Sequence, residues 1–289
     1  MKNKFHFKKV TALLLTAVAT VGILAGCGST TKKSSSSKAA YRTVDEIKKD
    51  GTLKVGVFSD KAPFGYVDDQ GKYQGYDVYF AERIAKDLGV KIEYTAVDPA
   101  SRVDYVATGK VDLMLANFTV TDERAEKVDF ALPYMKVSLG VVSPSSAPIK
   151  SEADLKGKTL ILAKGTTAET YFTKNDTGAN LEKYDQYADA YNALLDGRGD
   201  AFSTDNTEVI AWANQNKGFT VGITSLGDVD TIAPAVAKGN KTLLDWINKE
   251  ITSLADEQFF HADYDATLKD FYGADINPDD LVVEGGKVE

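Results

Sequence analysis

The sequence predicts an α/β fold of two lobes, and three observations carry that prediction. Short β-branched runs alternate with helical patterns from Leu53 onward, the rhythm of sheets covered by helices. The same plan is written twice, with a break at Ser143-Pro-Ser-Ser-Ala-Pro148. The part beyond residue 40 spans about 250 residues, more than one lobe usually holds.

The first run reads Leu53 to Phe58 as a strand, Tyr76 to Leu88 as an amphipathic helix ended by Gly89, and Lys91 to Val97 as a strand. A helix near Ser101 to Thr108 and a strand from Asp112 to Phe118 follow. The second run reads as a strand at Thr159 to Lys164, a helix opening near Thr166, a strand at Lys183 to Tyr187 and a helix from Ala188 to Leu195. It closes with a strand at Asp200 to Asp205 and a helix from Asn206 to Asn216. A last strand, Ile232 to Ala237, with helices near Lys241 to Ala255 and Asp263 to Phe271, is expected to return to the first lobe. The expected division is therefore 41–135 plus 231–289 for lobe 1 and 136–230 for lobe 2. Two crossings, near Tyr134 to Ser138 and Gly227 to Thr231, would join them, and the cleft between is the natural ligand site.

The N-terminus predicts export. Lys2, Lys4, Lys8 and Lys9 precede an apolar run from Val10 to Leu24, about fifteen residues and short for a spanning helix. Residues 1–26 are read as a signal peptide. Gly28 to Ala40 is Ser- and Lys-rich and lacks the bulk to fold, so 27–40 is expected to be a flexible tether.

Composition excludes several classes of function. Without the first 26 residues the chain has 30 basic against 42 acidic residues, a formal charge of −12, which argues against nucleic acid as a partner. Cys27 is the single cysteine, so the folded part has no disulfide, zinc thiolate or thiol nucleophile. His6 and His261 are the only histidines, which argues against histidine triads and multi-histidine metal sites. No metal or cofactor is expected, and His261 is read as solvated at a polar helix start.

Three segments carry candidate binding chemistry. Ala116-Asn-Phe-Thr-Val-Thr-Asp-Glu-Arg124 lies at the C-terminal end of an expected strand, where open α/β sheets bind ligands. The planar fork of Arg124 suits a carboxylate, and Thr119 adds a hydroxyl and an N–H; the alternative is a surface arginine in a helix capped by Thr121. In Lys164-Gly-Thr-Thr-Ala-Glu169, Thr166 and Thr167 open a helix whose free N–H groups suit the same anion, or serve as ordinary capping. Asp205, ending a strand, is placed to accept from an ammonium or to cap the next helix.

Together these segments resemble the polar amino-acid solute-binding proteins that serve ABC importers, with the two-lobed periplasmic-binding-protein fold: mixed, mostly parallel sheets joined by two hinge strands. The resemblance extends through Ala62-Pro-Phe-Gly-Tyr66, Gln74-Gly-Tyr-Asp-Val78, Val128-Asp-Phe-Ala-Leu-Pro-Tyr134 and Asp154-Leu-Lys-Gly-Lys158. It implies that Arg124, Thr119 and the Asn117 backbone hold a ligand α-carboxylate from the first lobe, with Thr166 and Thr167 from the second, and that Asp205 holds the α-ammonium. It also implies a side-chain pocket around Phe64, Arg102, Tyr187 and Thr204. Arg102 has an alternative as a surface charge paired with Asp98 or Asp104, and Phe64, Tyr66 and Phe118 are equally readable as cleft walls or core.

Leu24-Ala-Gly-Cys27 is similar to a lipobox, implying that Cys27 carries a lipid that anchors the chain on the extracytoplasmic face of the cell membrane. Gly56 to Val67, Lys164-Gly-Thr-Thr-Ala168, Arg198-Gly-Asp200, Glu257-Gln-Phe-Phe-His261 and Val283-Glu-Gly-Gly-Lys287 resemble cysteine-binding members. Phe58 departs from the lysine that members selecting acidic amino acids place there. The expected protein is thus a monomeric, non-enzymatic lipoprotein that captures a polar amino acid, cysteine first, for an ABC permease. A surface adhesin or antigen, and a dehydratase-like enzyme on the same scaffold, are the alternatives; the enzyme needs a general acid or base in the cleft.

Overall fold

The computed structural model describes residues 41–273 and 276–288. The expected signal peptide over 1–26, Cys27 and the expected tether lie outside the described residues. Among those described, no helix is long and apolar enough to cross a membrane.

The chain opens with α1 (Val44–Asp50), started by a Thr43/Glu46 capping box and ended at Gly51, whose φ of 76° suits glycine. It continues through β1 (Thr52–Val57), β2 (Asp60–Lys61), β3 (Gly65–Val67), β4 (Tyr73–Gln74), α2 (Tyr76–Leu88), β5 (Lys91–Ala96), α3 (Arg102–Ala107), β6 (Leu113–Met114), α4 (Asp122–Ala125) and β7 (Val128–Phe130). The second run comprises β8 (Met135–Pro144), β9 (Thr159–Ala163), α5 (Thr167–Lys174), β10 (Asn180–Tyr184), α6 (Tyr187–Leu195), β11 (Ala201–Asp205), α7 (Asn206–Gln215) and β12 (Phe219–Ile232). Last come β13 (Ala235–Ala237), α8 (Lys241–Leu254), α9 (Phe259–Thr267) and α10 (Lys269–Tyr272).

Two five-stranded sheets carry the fold, ordered β5-β1-β6-β13-β7 and β10-β9-β11-β8-β12, with a small β2-β3-β4 sheet beside them. Each large sheet has parallel pairs on one side (β1 with β5 and β6; β9 with β10 and β11) and antiparallel pairs on the other. The repeated plan in the sequence is thus a repeated topology. The late strand β13 enters the first sheet between β6 and β7. Between the sheets, β8 and β12 run side by side as an antiparallel ribbon, with Met135 opposite Ile232, Lys136 opposite Thr231 and Val137 opposite Asp230.

Helix α2 shows why local patterning selects these elements. Tyr76, Phe80, Ile84 and Leu88 recur every four residues and are all buried, a single apolar stripe facing the sheet. Phe80 meets Phe260 edge-on at 4.9 Å, and Phe260 stacks on Tyr134 at 5.7 Å. This packing recruits α9 to the first lobe. In the second lobe Tyr191 stacks on Trp212 at 4.7 Å and meets Phe202 edge-on at 4.6 Å, joining α6, α7 and β11.

Several expected boundaries move. The strand expected over 183–187 runs from Asn180 to Tyr184, because its pairing aligns Asn180 with Thr159 and Tyr184 with Ala163; Tyr187 then opens α6. The strand expected over 112–118 shrinks to Leu113–Met114, and Asn117 beyond it takes a φ of 45°. His261 is not simply solvated: Nδ1 lies 2.9 Å from Glu284 and Nε2 2.9 Å from Asp279. Partial burial lowers its pKa, but these two carboxylates outweigh that and raise it.

Candidate functional site

The site is built where strand ends of both sheets face each other. Beyond β6 the chain turns at Asn117, whose N–H donates to Asp77 Oδ2 at 2.7 Å. Asp77 Oδ1 accepts from the Tyr134 hydroxyl at 2.5 Å, so a buried carboxylate of α2 fixes the turn. Burial pushes the Asp77 carboxyl up to about 6, against the lowering effect of those two hydrogen bonds.

The turn delivers Phe118, and two guanidiniums converge on its ring: Arg102 at 4.7 Å and Arg124 at 4.8 Å. Arg102, 2% exposed, is not the surface charge its alternative supposed. It donates to the carbonyls of Pro99 (3.0 Å), Ala116 (3.0 Å), Asn117 (3.1 Å) and Gly165 (3.2 Å), and neither Asp98 nor Asp104 forms an ion pair with it among the described residues. Arg124 donates to Thr119 O at 2.7 Å and, across the cleft, to Gly165 O at 2.9 Å. The residue keeps some exposure but its charged end is nearly enclosed. Burial and then the neighbouring Arg102 push it down to about 9, so it remains charged at neutral pH. Among the described residues no carboxylate lies within ion-pair distance of either arginine. Two enclosed guanidiniums whose hydrogen bonds go to neutral carbonyls form an anion-binding pole.

The opposite pole is formed by the second sheet. Asp205, at the end of β11, accepts from Asn117 Nδ2 at 2.6 Å and from Lys61 Nζ at 3.4 Å. Its side chain makes no capping bond to α7. Lys61 also pairs with Glu208 at 2.9 Å and donates to the Tyr187 hydroxyl at 3.1 Å; Thr204 Oγ1 bridges Tyr187 (3.3 Å) and Glu208 (3.2 Å). Burial alone would lower the Lys61 ammonium, but the pull of Glu208, Tyr187 and Asp205 is stronger and raises it. Two carboxyl groups thus share one ammonium, leaving acceptor capacity at this end.

The other expected residues divide. Thr166 caps α5, accepting from Glu169 N at 3.1 Å and donating to Ala163 O at 2.7 Å, so its hydroxyl serves the helix start and the expected anion contact would fall to its backbone N–H. Asn117 reaches Asp205 through its side chain, whereas its backbone N–H and carbonyl are taken by Asp77 and Arg102. Thr119 is buried and contributes its carbonyl to Arg124. Thr167 lines a cavity of about 650 Å³ with Arg124, Gly165 and Asp230 at the cleft mouth; Asp205 and Lys61 are not on its lining. Phe64 and Tyr187 both face the Lys61 ammonium, while Tyr66 lines a separate cavity with Gln74 and Phe271.

Sequence reasoning did not assign roles to Lys61, Glu208 or Asp77. Lys61 sits in a polar Ser-Asp-Lys stretch that reads as surface. Glu208 carried a usable signal, since it precedes the apolar Val209, Ile210, Ala211 and Trp212 and is itself fully buried. Among the described residues no group of His, Cys, Asp and Glu could hold a metal ion.

Comparison with known proteins gives this geometry a family. A cysteine-binding protein from Campylobacter jejuni is 51% identical with a TM-score of 0.82, over 83% of this chain and 98% of that one. A solute receptor for L-cysteine of Neisseria gonorrhoeae is also 51% identical, TM-score 0.82, over 84% of this chain and 100% of that one. The glutamine-binding protein of Geobacillus stearothermophilus is 33% identical over 76% of this chain and 89% of its own length. All three are binding proteins or receptors by name, not enzymes. The family model of the bacterial extracellular solute-binding proteins, family 3, matches residues 53–265. The chain belongs to that family.

Proposed function

We propose that this protein captures a free polar amino acid, cysteine first, between its lobes and passes it to the permease of an ABC importer. One observation carries the reading: Arg124 and Arg102 form a cationic pole that no carboxylate among the described residues pairs with, and Asp205 with Glu208 forms an acidic pole held by Lys61. A zwitterion laid between them would place its carboxylate on Arg124 and its ammonium on Asp205. Each lobe supplies part of the contacts, so a ligand binds the closed state better than the open one. The proposed ligand contacts are Arg124, Asp205, Asn117, Thr119, Arg102 and Thr167, with Phe64, Tyr187 and Thr204 behind them.

Cysteine is favoured over glutamine by the two 51%-identical structures, whose own ligand is cysteine. Calorimetric titration with the twenty amino acids tests the reading; no binding by any of them would overturn it. Lipid on Cys27 belongs to the same proposal. Cells expressing the Cys27→Ser variant should incorporate no labelled fatty acid into the protein and should release it from the membrane fraction.

A further inference from the structure

Lys61 is the least explained residue in the cleft. It ends β2 in the first lobe, yet its ammonium is bound by the second: Glu208 at 2.9 Å, the Tyr187 hydroxyl at 3.1 Å and Asp205 at 3.4 Å. The residue is 1% exposed. Three aromatic rings surround its charge, Tyr187 at 4.4 Å, Phe58 at 5.4 Å and Phe64 at 5.7 Å from their centroids. Aromatic faces together with carboxylates are the recognition chemistry for an organic ammonium ion.

We propose that this is an ammonium-binding box beside the ligand site, that Lys61 fills it as a built-in plug, and that the plug confines the ligand to a short side chain. Lys61 acts through both volume and charge. The four-methylene stem of Lys61 occupies space next to Asp205 into which a long ligand side chain would otherwise extend. Its charge satisfies Glu208, which would be a costly buried carboxylate alone. A second ammonium entering the box would meet Lys61 at close range, a repulsion that excludes cationic side chains. With the stem removed, the rings and Glu208 are left as a vacant cation subsite, and the same cleft should accept a longer basic amino acid. This deepens the amino-acid reading and rests on it for the ligand, while the box itself does not.

The test uses Lys61→Ala and Lys61→Met. The parent protein should bind L-cysteine and should bind L-ornithine and L-lysine at least ~100-fold more weakly. Lys61→Ala should gain at least ~10-fold in affinity for L-ornithine relative to the parent, and Lys61→Met, whose stem still fills the box, should gain nothing. A folded Lys61→Ala protein without that gain, or an equal gain in Lys61→Met, overturns the plug.

Propylammonium supplies the atoms that alanine lacks, and it reads the box without any amino acid. It should raise the melting temperature of Lys61→Ala saturably, where 1-propanol does not; stabilisation by neither, or by both equally, overturns the box. If Lys61→Ala is recovered only unfolded, refolding it with propylammonium replaces the melting test: recovery with the amine and not the alcohol supports the box, and no recovery overturns it. A parent protein that binds no amino acid would sink the receptor reading, leaving the box to be decided by propylammonium.

Discussion

Arg102 and Arg124 share one acceptor: both donate through Nη2 to the carbonyl of Gly165, at 3.2 and 2.9 Å. Two cations from the first lobe therefore meet on a neutral oxygen of the second. Like charges at such range are sustained only by surroundings that tolerate them, here the Phe118 ring and the strand-end carbonyls. A carboxylate entering the cleft would bring the compensation that Gly165 cannot.

Arg124→Ala should remove that compensation. Loss of one partner in an enclosed charge-assisted contact costs roughly 2–5 kcal/mol, so cysteine affinity should fall by at least ~30-fold in calorimetry. The unliganded melting temperature should not fall in proportion, because the substitution also relieves repulsion with Arg102. Affinity equal to the parent's would remove Arg124 from the site.

Asp205→Asn should act on the other end of the ligand. Cysteine should bind ~100-fold less tightly, whereas 3-mercaptopropionate, which lacks the ammonium, should change by no more than ~3-fold. Equal loss for both ligands would mean that Asp205 serves only to hold Lys61 and Asn117.

Gly165→Ala should obstruct closure. Gly165 has a φ of 75°, and a Cβ there would lie 2.5 Å from Ala100 Cα, across the cleft. The left-handed backbone adds about 1 kcal/mol of strain. Cysteine affinity should drop by about tenfold or more, and small-angle scattering should show no ligand-induced contraction. A variant that contracts like the parent would show that the lobes do not meet at this point.

Asp77 makes stability depend on pH. Its folded value, raised by burial from 3.8 to about 6, exceeds the unfolded one, so the folded chain holds the proton between those values. The contribution is complete below 3.8, is lost as pH rises through about 6, and amounts to at most about 3 kcal/mol. Urea unfolding of the parent and of Asp77→Asn from pH 4 to 8 should show the parent losing stability relative to the variant as pH rises. Parallel profiles would show that Asp77 does not titrate in this range.

The anion pole was the more legible in the sequence. Arg124 and Thr119 belong to one contiguous segment at a strand end, which placed them as candidates, and the resemblance of that segment to the family decided for them over a surface arginine. The interior of the cleft was not legible. Lys61 and Glu208 are 147 positions apart in a chain where each has an ordinary local explanation, and only packing of two lobes brings them to 2.9 Å. The same holds for Asp77, whose partners Tyr134 and Asn117 come from distant segments. Thr166 shows the ambiguity of such positions: its hydroxyl caps α5, and capping and anion binding draw on the same residue type at a helix start.

The β8–β12 ribbon has a mechanical consequence. Its three successive pairs, Met135 with Ile232, Lys136 with Thr231 and Val137 with Asp230, bond the two crossings to each other, and the register becomes irregular only past Asp230 towards the second lobe. Two separate strings would let the lobes swivel and slide. A bonded ladder resists shear in its own plane and yields mainly by bending out of it, as a leaf spring does. In the proposed closure such a ribbon would steer Gly165 back to the same pair of arginines, so that the backbone pairing itself would help to align the two halves.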